Sequence, residues 1–498
     1  MKPKENIPFI TLDGENYSTP LYRRIYEAIR TAILSGEFTS EMRLPSTRIL
    51  AQNLGVSRIT VVNAYEQLFA EGYLEGKIGA GTFVASKLPD ELLQTSKPKP
   101  KNIEKRQSSP LNLSPFGEQL LARDLESTRM QFETKFQPFQ NGLTAIDEFP
   151  FEIWSRIAAK FYKNPPRSML GYGDPRGFYK LREAVAAHLK SARGVNCTAE
   201  QVIITSGAQQ ALDLTARIFL SEKDTFLIED PCYQEAWNSF SATGAKGIPV
   251  AVDKEGFNLA NAPKTGEKAK FVYVTPSHQY PLGVTMTLAR RLELIEWARK
   301  QNSWIVEDDY NSEFRYAGRP LASLQGLDSA GRVIYVGTFS KTIFPALRIG
   351  CLVVPPELIE VFTVARAFND AHSSVINQTI LAEFISEGHF ARHVRRMRRL
   401  YEERQEILVR EVKNKLADFI EMEKSEAGMH LIGWLAEDLD EEKITAEALK
   451  HNIKLSSVSS YYLSEPPRKG FIFGYTAFDE FQIKEAIAKL AEIFREIG

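Results

Sequence analysis

No stretch of this chain stays apolar for the roughly 18 residues that a bilayer-crossing helix requires, which argues against a membrane-bound protein. Cysteine is scarce. Cys197, Cys232 and Cys351 are the only three, and they lie far apart with no CxxC or metal-ligand spacing. Neither a disulfide framework nor a metal site is therefore expected. An excess of basic charge is also missing: the net charge is −1 over 498 residues. That excludes a chain coated throughout for nucleic acid, but leaves room for one small DNA-binding module. The opening MKPKENIPFITLDGENY has charges where a secretory leader needs its apolar core, so the expected location is the cytoplasm. What is present is ordinary, 43% hydrophobic and 25% charged residues, in a chain too long for one core. Two or three domains are expected.

Near the start, Leu21, Ile25, Ala28, Ile29, Ala32 and Ile33 form one helical stripe that Gly36 ends. Ser46 then suits the N-cap of a short helix with Ile49, Leu50 and Leu54 inward, and Gly55 suits a turn. Ser57 caps a second helix whose inner face is Val61, Ala64, Tyr65 and Leu68. A short helix, a glycine turn and a capped helix make a helix-turn-helix, whose exposed second start offers Ser57, Arg58 and Thr60 to phosphates and base edges. The stretch from Gly72 to Ala85 reads as two short strands around a glycine-rich turn, a wing that places Lys77 near a phosphate or the minor groove. These P-S-x-R-x-L-A, L-G-V-S-R and G-x-G-T-F-V segments resemble the GntR-type winged helix. The resemblance adds Arg43, Ser46, Arg48, Gly81 and Thr82 to the residues expected to face double-stranded operator DNA.

Residues 87–115 change character. They lack an apolar period and are rich in Pro, Lys and Ser, as in an extended tether whose Lys97, Lys99, Lys101, Lys105 and Arg106 are solvated or brush DNA. The expected division is a head over 1–86, a linker over 87–115 and a body over 116–498. In the body, helical stretches alternate with short β-branched runs at 201–205, 225–229, 270–275, 304–308, 333–338 and 351–355. That is an α/β pattern with a mostly parallel sheet, whose ligands bind beyond the carboxyl ends of the strands.

The chemistry-bearing residues stand at those ends. Ser206, Gly207 and Ala208 open a helix whose backbone N–H groups suit a phosphate. Tyr233 puts a ring where a flat heterocycle can stack. Asp308 and Tyr310, two apart on an extended segment, share one face: a carboxylate for a pyridine nitrogen and a phenol for the ring oxygen. Thr338 and Ser340 flank Lys341, and Arg348 follows seven residues later, so an amine for a Schiff base has hydroxyls and a guanidinium beside it for a phosphate. Together these describe a site for pyridoxal 5′-phosphate (PLP).

Their order resembles the fold-type I, aspartate-aminotransferase-like domain. Joined to the winged head, and with the SHQYPLG, EDDYNSEFRY and GTFSKTIFPALRIG segments, the chain resembles the MocR subfamily of GntR-type bacterial regulators. The resemblance implies a homodimer in which Tyr172 reaches the partner's phosphate. Two departures bear on catalyst versus sensor. Tyr280 stands where many aminotransferases have the Asn of N-P-x-G, leaving His278 or Gln279 to supply that bond or to be core residues. The stretch from Ile472 to Phe478 lacks the arginine that holds a substrate carboxylate, a pair contributing about 1.5–3 kcal/mol. Arg468 precedes that strand, and Glu235 faces either the pocket or solvent. The expectation is a transcription regulator that senses PLP or a small amine through Lys341. The alternatives are a PLP-dependent aminotransferase with an accessory DNA-binding head, and a repressor whose body only dimerises.

Overall fold

Ile25, Ile29 and Ile33 recur every four residues along helix α1 (Leu21–Leu34) and are fully buried, which fixes the face the helix turns inward. In the computed structural model the described residues are 19–77, 80–88, 111–122, 135–262, 268–318, 322–436 and 439–497. The chain divides into two compact units, Met1–Asn112 and Leu113–Gly498. Most of the expected tether, including Lys97, Lys99, Lys101, Lys105 and Arg106, lies outside the described residues.

In the first unit, Ser46 Oγ accepts from the Ile49 N–H and starts α2 (Thr47–Leu54), and Gly55 ends it at φ 65°, a conformation that L side chains rarely adopt. Ser57 caps α3 (Arg58–Ala70), whose Val61, Ala64, Tyr65 and Leu68 are all buried. The Tyr65 hydroxyl donates to the Pro45 carbonyl at 2.9 Å and ties α3 to the entry of α2. Two expected core residues are corrected. Leu21 and Ile49 are each 38% exposed, because Leu21 sits in the first turn of α1 and Leu50 with Ala51 already fills the inner face of α2. The wing contains strands β2 (Leu74–Lys77) and β3 (Gly81–Val84), and β3 also pairs with a strand the sequence did not announce, β1 (Arg43–Leu44).

The second unit is built on an eight-stranded sheet: β4 (Val202–Thr205), β5 (Thr225–Asp230), β6 (Lys246–Asp253), β7 (Gly256–Phe257), β8 (Ala269–Val274), β9 (Trp304–Asp309), β10 (Val333–Thr338) and β11 (Gly350–Val353). Its order is β4-β11-β10-β9-β8-β5-β6-β7. The five strands from β10 to β6 run parallel, while β11 is antiparallel to both its neighbours. β4 and β5 are buried along their whole length, which is why such strands read as continuous apolar runs rather than alternating ones. Parallel register brings Asp308 opposite Val336, so the ends of β9 and β10 deliver their side chains to one place.

A smaller antiparallel sheet follows, order β12-β13-β15-β14, from β12 (Ile420–Met422), β13 (His430–Leu435), β14 (Ser456–Ser457) and β15 (Gly470–Gly474). Tyr401, Leu408, Leu490 and Phe494 pack with Phe471 and Phe473 in one core. Residue 139 is bridged to Gly474, and the Gly474 N–H donates to the Phe139 carbonyl at 3.0 Å. That contact matters because it lays the 139–142 segment beside the ends of the large sheet. Among the described residues no helix is long and apolar enough to cross a membrane.

Candidate cofactor cavity and DNA-facing surface

Glu307, Asp308, Asp309 and Tyr310 show how a strand divides labour between its two faces. Glu307 accepts from the Leu324 and Gln325 N–H groups, both at 2.9 Å, and holds a neighbouring helical turn. Asp309 accepts from Arg193 Nε at 2.7 Å and from the Tyr335 hydroxyl at 2.8 Å. Burial opposes its charge, yet Arg193 and its hydroxyl partners hold its pKa below the ordinary carboxylate value. Asp308 and Tyr310 point the other way, into a cavity of about 920 Å³. Asp308 Oδ2 accepts from the Tyr273 hydroxyl at 2.8 Å, while Oδ1 is buried with no partner. Burial pushes its pKa up to about 7, with Asp309 adding and Tyr273 opposing.

Lys341, three residues past β10, enters the same cavity and donates to the Gly142 carbonyl at 2.9 Å. Burial, then the Arg348 guanidinium, lowers its pKa to about 8. An amine is a nucleophile only when neutral. An aldehyde should therefore react with Lys341 at a rate that rises with pH and levels off near 8. An ordinary lysine would keep gaining beyond 10. Stopped-flow absorbance from pH 6 to 10 measures this, and a rate still climbing steeply at pH 10 would remove the claim.

The end of the cavity near Arg348 is shaped largely by backbone. Gly207, at φ 90°, precedes helix α4 (Ala208–Phe219), whose first N–H groups are free of intrahelical partners. A Cβ on Gly207 would sit 3.1 Å from the Arg348 guanidinium, which itself donates to the Ser206 carbonyl at 3.1 Å. Arg348 is held at φ 50°, a left-handed conformation costing about 1–2 kcal/mol. Thr338, Ser340 and Ala208 line the cavity, and Ser340 Oγ is another buried atom without a partner. Ser206 stands outside the wall: its N–H donates to Gln210 Oε1 at 2.8 Å and its hydroxyl is shared with Ser373 Oγ at 3.0 Å.

Tyr280 meets both Tyr233 and Tyr310 edge to face, its ring centroid 5.7 Å from each of theirs. The Tyr280 hydroxyl accepts from Asn141 Nδ2 at 2.8 Å and donates to Tyr461 at 3.2 Å. His278 stands outside the cavity wall, behind Tyr310, its Nδ1 2.9 Å from that hydroxyl. Burial keeps it neutral, with a pKa of about 3. Gln279 is likewise a brace, donating to the Pro231 and Tyr280 carbonyls. Glu235 does line the cavity, and Arg468 stands outside it, bonded to Glu421 at 2.7 Å. The described cations in the wall are Lys341, Arg348 and Lys454. Asn141, Gly142, His430 and Lys454 were not singled out from sequence, since no local motif marks them. Tyr172 is 94% exposed in the single chain.

In the winged unit the expected residues fall into two sets. Arg48 and Arg58 are exposed and flank a shallow depression over the Gly55 turn, with Arg58 Nε 3.4 Å from Thr47 Oγ1. Ser46 and Ser57 spend their hydroxyls on the caps, and Thr60 closes the Ser57 cap with an Oγ–Oγ1 distance of 2.7 Å. Arg43, Lys77, Gly81 and Thr82 form the wing set, with the Arg43 guanidinium beside Gly81. Lys77 Nζ lies 3.9 Å from both Glu41 and Glu75 and over the Phe83 ring.

Residues 128–488 match the family "Aminotransferase class I and II", and residues 21–84 match "Bacterial regulatory proteins, gntR family". The chain is 40% identical over 475 residues to the probable rhizopine catabolism regulatory protein MocR of Rhizobium meliloti, covering 95% of this chain and 94% of that one. It is 30% identical over 482 residues to the pyridoxine biosynthesis transcriptional regulator PdxR of Corynebacterium glutamicum, covering 95% and 96%. Among solved structures, the kynurenine aminotransferase of Pyrococcus horikoshii, in complex with PMP, superposes with a TM-score of 0.70 at 30% identity, over 77% of this chain and 97% of that one.

Proposed function

We propose, given that this chain belongs to the family of GntR-type transcription regulators with an aminotransferase class I and II body, that occupancy of the Lys341 cavity controls how the winged head holds DNA. The cofactor is pyridoxal 5′-phosphate, and the wall fits it: Asp308 Oδ1 and Ser340 Oγ are buried atoms awaiting partners. When bound, it supplies an electrophilic carbon and an electron-accepting ring. Asp308 would accept from its ring nitrogen and Tyr310 would donate to its ring oxygen. Arg348, Thr338, Ser340 and the start of α4 would hold its phosphate, and Lys341 would supply the neutral amine. Tyr172, bare in the single chain, completes the site of a second subunit.

One observation carries this reading. An amine lowered to about 8 shares a cavity with an unpartnered carboxylate oxygen, on a chain whose other unit is a winged helix. A cation dedicated to a substrate carboxylate is missing from β15, whose end is closed instead. A Cβ on Gly474 would lie 2.4 Å from the Gln140 carbonyl. The Tyr475 hydroxyl that follows is spent on the Gly428 carbonyl at 2.9 Å. That favours a sensor of PLP or a small amine over a turnover enzyme.

Operator affinity and footprint, measured for apo protein, PLP-loaded protein and loaded protein with a panel of amines, should differ between at least two of the three. Identical footprints in all would end the proposal, and steady transfer between an amino acid and a keto acid would establish the enzyme instead. Asp308→Asn should weaken PLP binding about 10- to 100-fold, the scale of one hydrogen bond to a charged group. Unchanged affinity in a titration of apo protein would refute the role given to Asp308.

A further inference from the structure

Ile59 is 64% exposed, more than any other large apolar side chain described between residues 19 and 88. It occupies the second position of α3, between Arg58 and Thr60, while the buried face of that helix is supplied by Val61, Ala64, Tyr65 and Leu68. Its surroundings are held in place. Ser57 Oγ accepts from the Thr60 N–H at 3.3 Å and is hydrogen-bonded to Thr60 Oγ1, and Arg58 leans on Thr47. A β-branched side chain has one strongly preferred rotamer in a helix, so Ile59 is presented as a stiff apolar knob on a fixed turn.

The second helix of a helix-turn-helix enters the major groove with its N-terminal residues against the base edges. Along those edges of donors and acceptors, the one sizeable apolar group is the 5-methyl of thymine. An isoleucine pressed onto any other edge would leave a base group without water or a partner, which disfavours those sequences. We propose that Ile59 reads a thymine methyl group in each half of the operator, making it a specificity determinant rather than an idle surface residue. This rests on the DNA-binding reading of the head.

The test uses the full chain. Bound sequences are selected from a random duplex library, and each thymine of the selected site is then replaced singly by deoxyuridine, which lacks only the methyl. Affinities are compared at fixed salt for the wild type, Ile59→Ala and Ile59→Thr. The expected result is one position per half-site where loss of the methyl weakens the wild type about fourfold, the value of one buried methyl group. Ile59→Ala should bind both versions of that site equally. An exposed residue tolerates both substitutions, and an unshifted melting temperature confirms folding. No uracil-sensitive position in the wild type, or the same sensitivity in Ile59→Ala, would overturn the proposal. If no sequence is selected at all, it is the DNA-binding reading itself that fails, and this one with it.

Discussion

Lys341→Ala protein should show no visible absorbance after incubation with PLP, and its operator affinity should not respond to PLP or to any amine. Among the described residues the only hydrogen bond this amine makes is to the Gly142 carbonyl, so the substitution removes a reactive group without opening a core. The variant should fold and bind DNA in one fixed state. Its stability also has a signature. A lysine whose folded pKa lies near 8, against 10.5 in the unfolded chain, leaves the unfolded state holding more protons between those values. Wild-type stability should therefore rise with pH across that window, and the alanine variant should lack that rise. Denaturant titrations at pH 7.5 and 10 compare the two. A visible band that survives in the variant would mean that another amine holds the cofactor.

Gly142→Ala should be nearly as damaging, although nothing in the chemistry of glycine suggests it. A Cβ on Gly142 would lie 2.4 Å from Lys341 Nζ, and the backbone there is at φ 79°. The methyl group thus meets the reacting nitrogen itself, and the left-handed backbone adds about 1–2 kcal/mol of strain. Lys341 must swing away from the position in which burial lowers its pKa. The expected result is attachment of PLP slowed by at least about tenfold at pH 7.5, with the plateau of the pH profile moved towards the ordinary lysine value. Attachment at the wild-type rate would show that Lys341 is mobile enough to ignore its neighbour.

Much of this arrangement was legible because it is local. The caps at Ser46 and Ser57, the glycine turn at 55 and the two-residue alternation of Asp308 and Tyr310 each follow from rules that act within a few residues. The strand ends carry their residues to one place because the sheet is parallel, a rule of topology rather than of composition. What could not be read depends on distant returns of the chain. Gly142 meets Lys341 across 199 positions, and His430, on the first residue of β13, donates to the Pro281 carbonyl from 149 positions away. Which of its two readings His278 takes depends on the same distant returns. Its sequence position puts it near the cofactor's ring oxygen, but Tyr280 takes the wall and His278 packs behind it, where a Cβ on Gly428 would be 2.2 Å from its Nε2. Ile49 failed differently, since a helical stripe gives a direction but not how wide the buried face is.

The company that Lys77 keeps has a consequence for how DNA binding depends on salt. Each phosphate neutralised by a solvated cation releases condensed counter-ions, and that release sets how steeply affinity falls as salt is raised. Lys77 already has two carboxylates at 3.9 Å, so a phosphate bound there would displace Glu41 and Glu75 instead of adding a fresh neutralisation. A wing lysine paired in this way would contribute less to the salt dependence of binding than a fully solvated one.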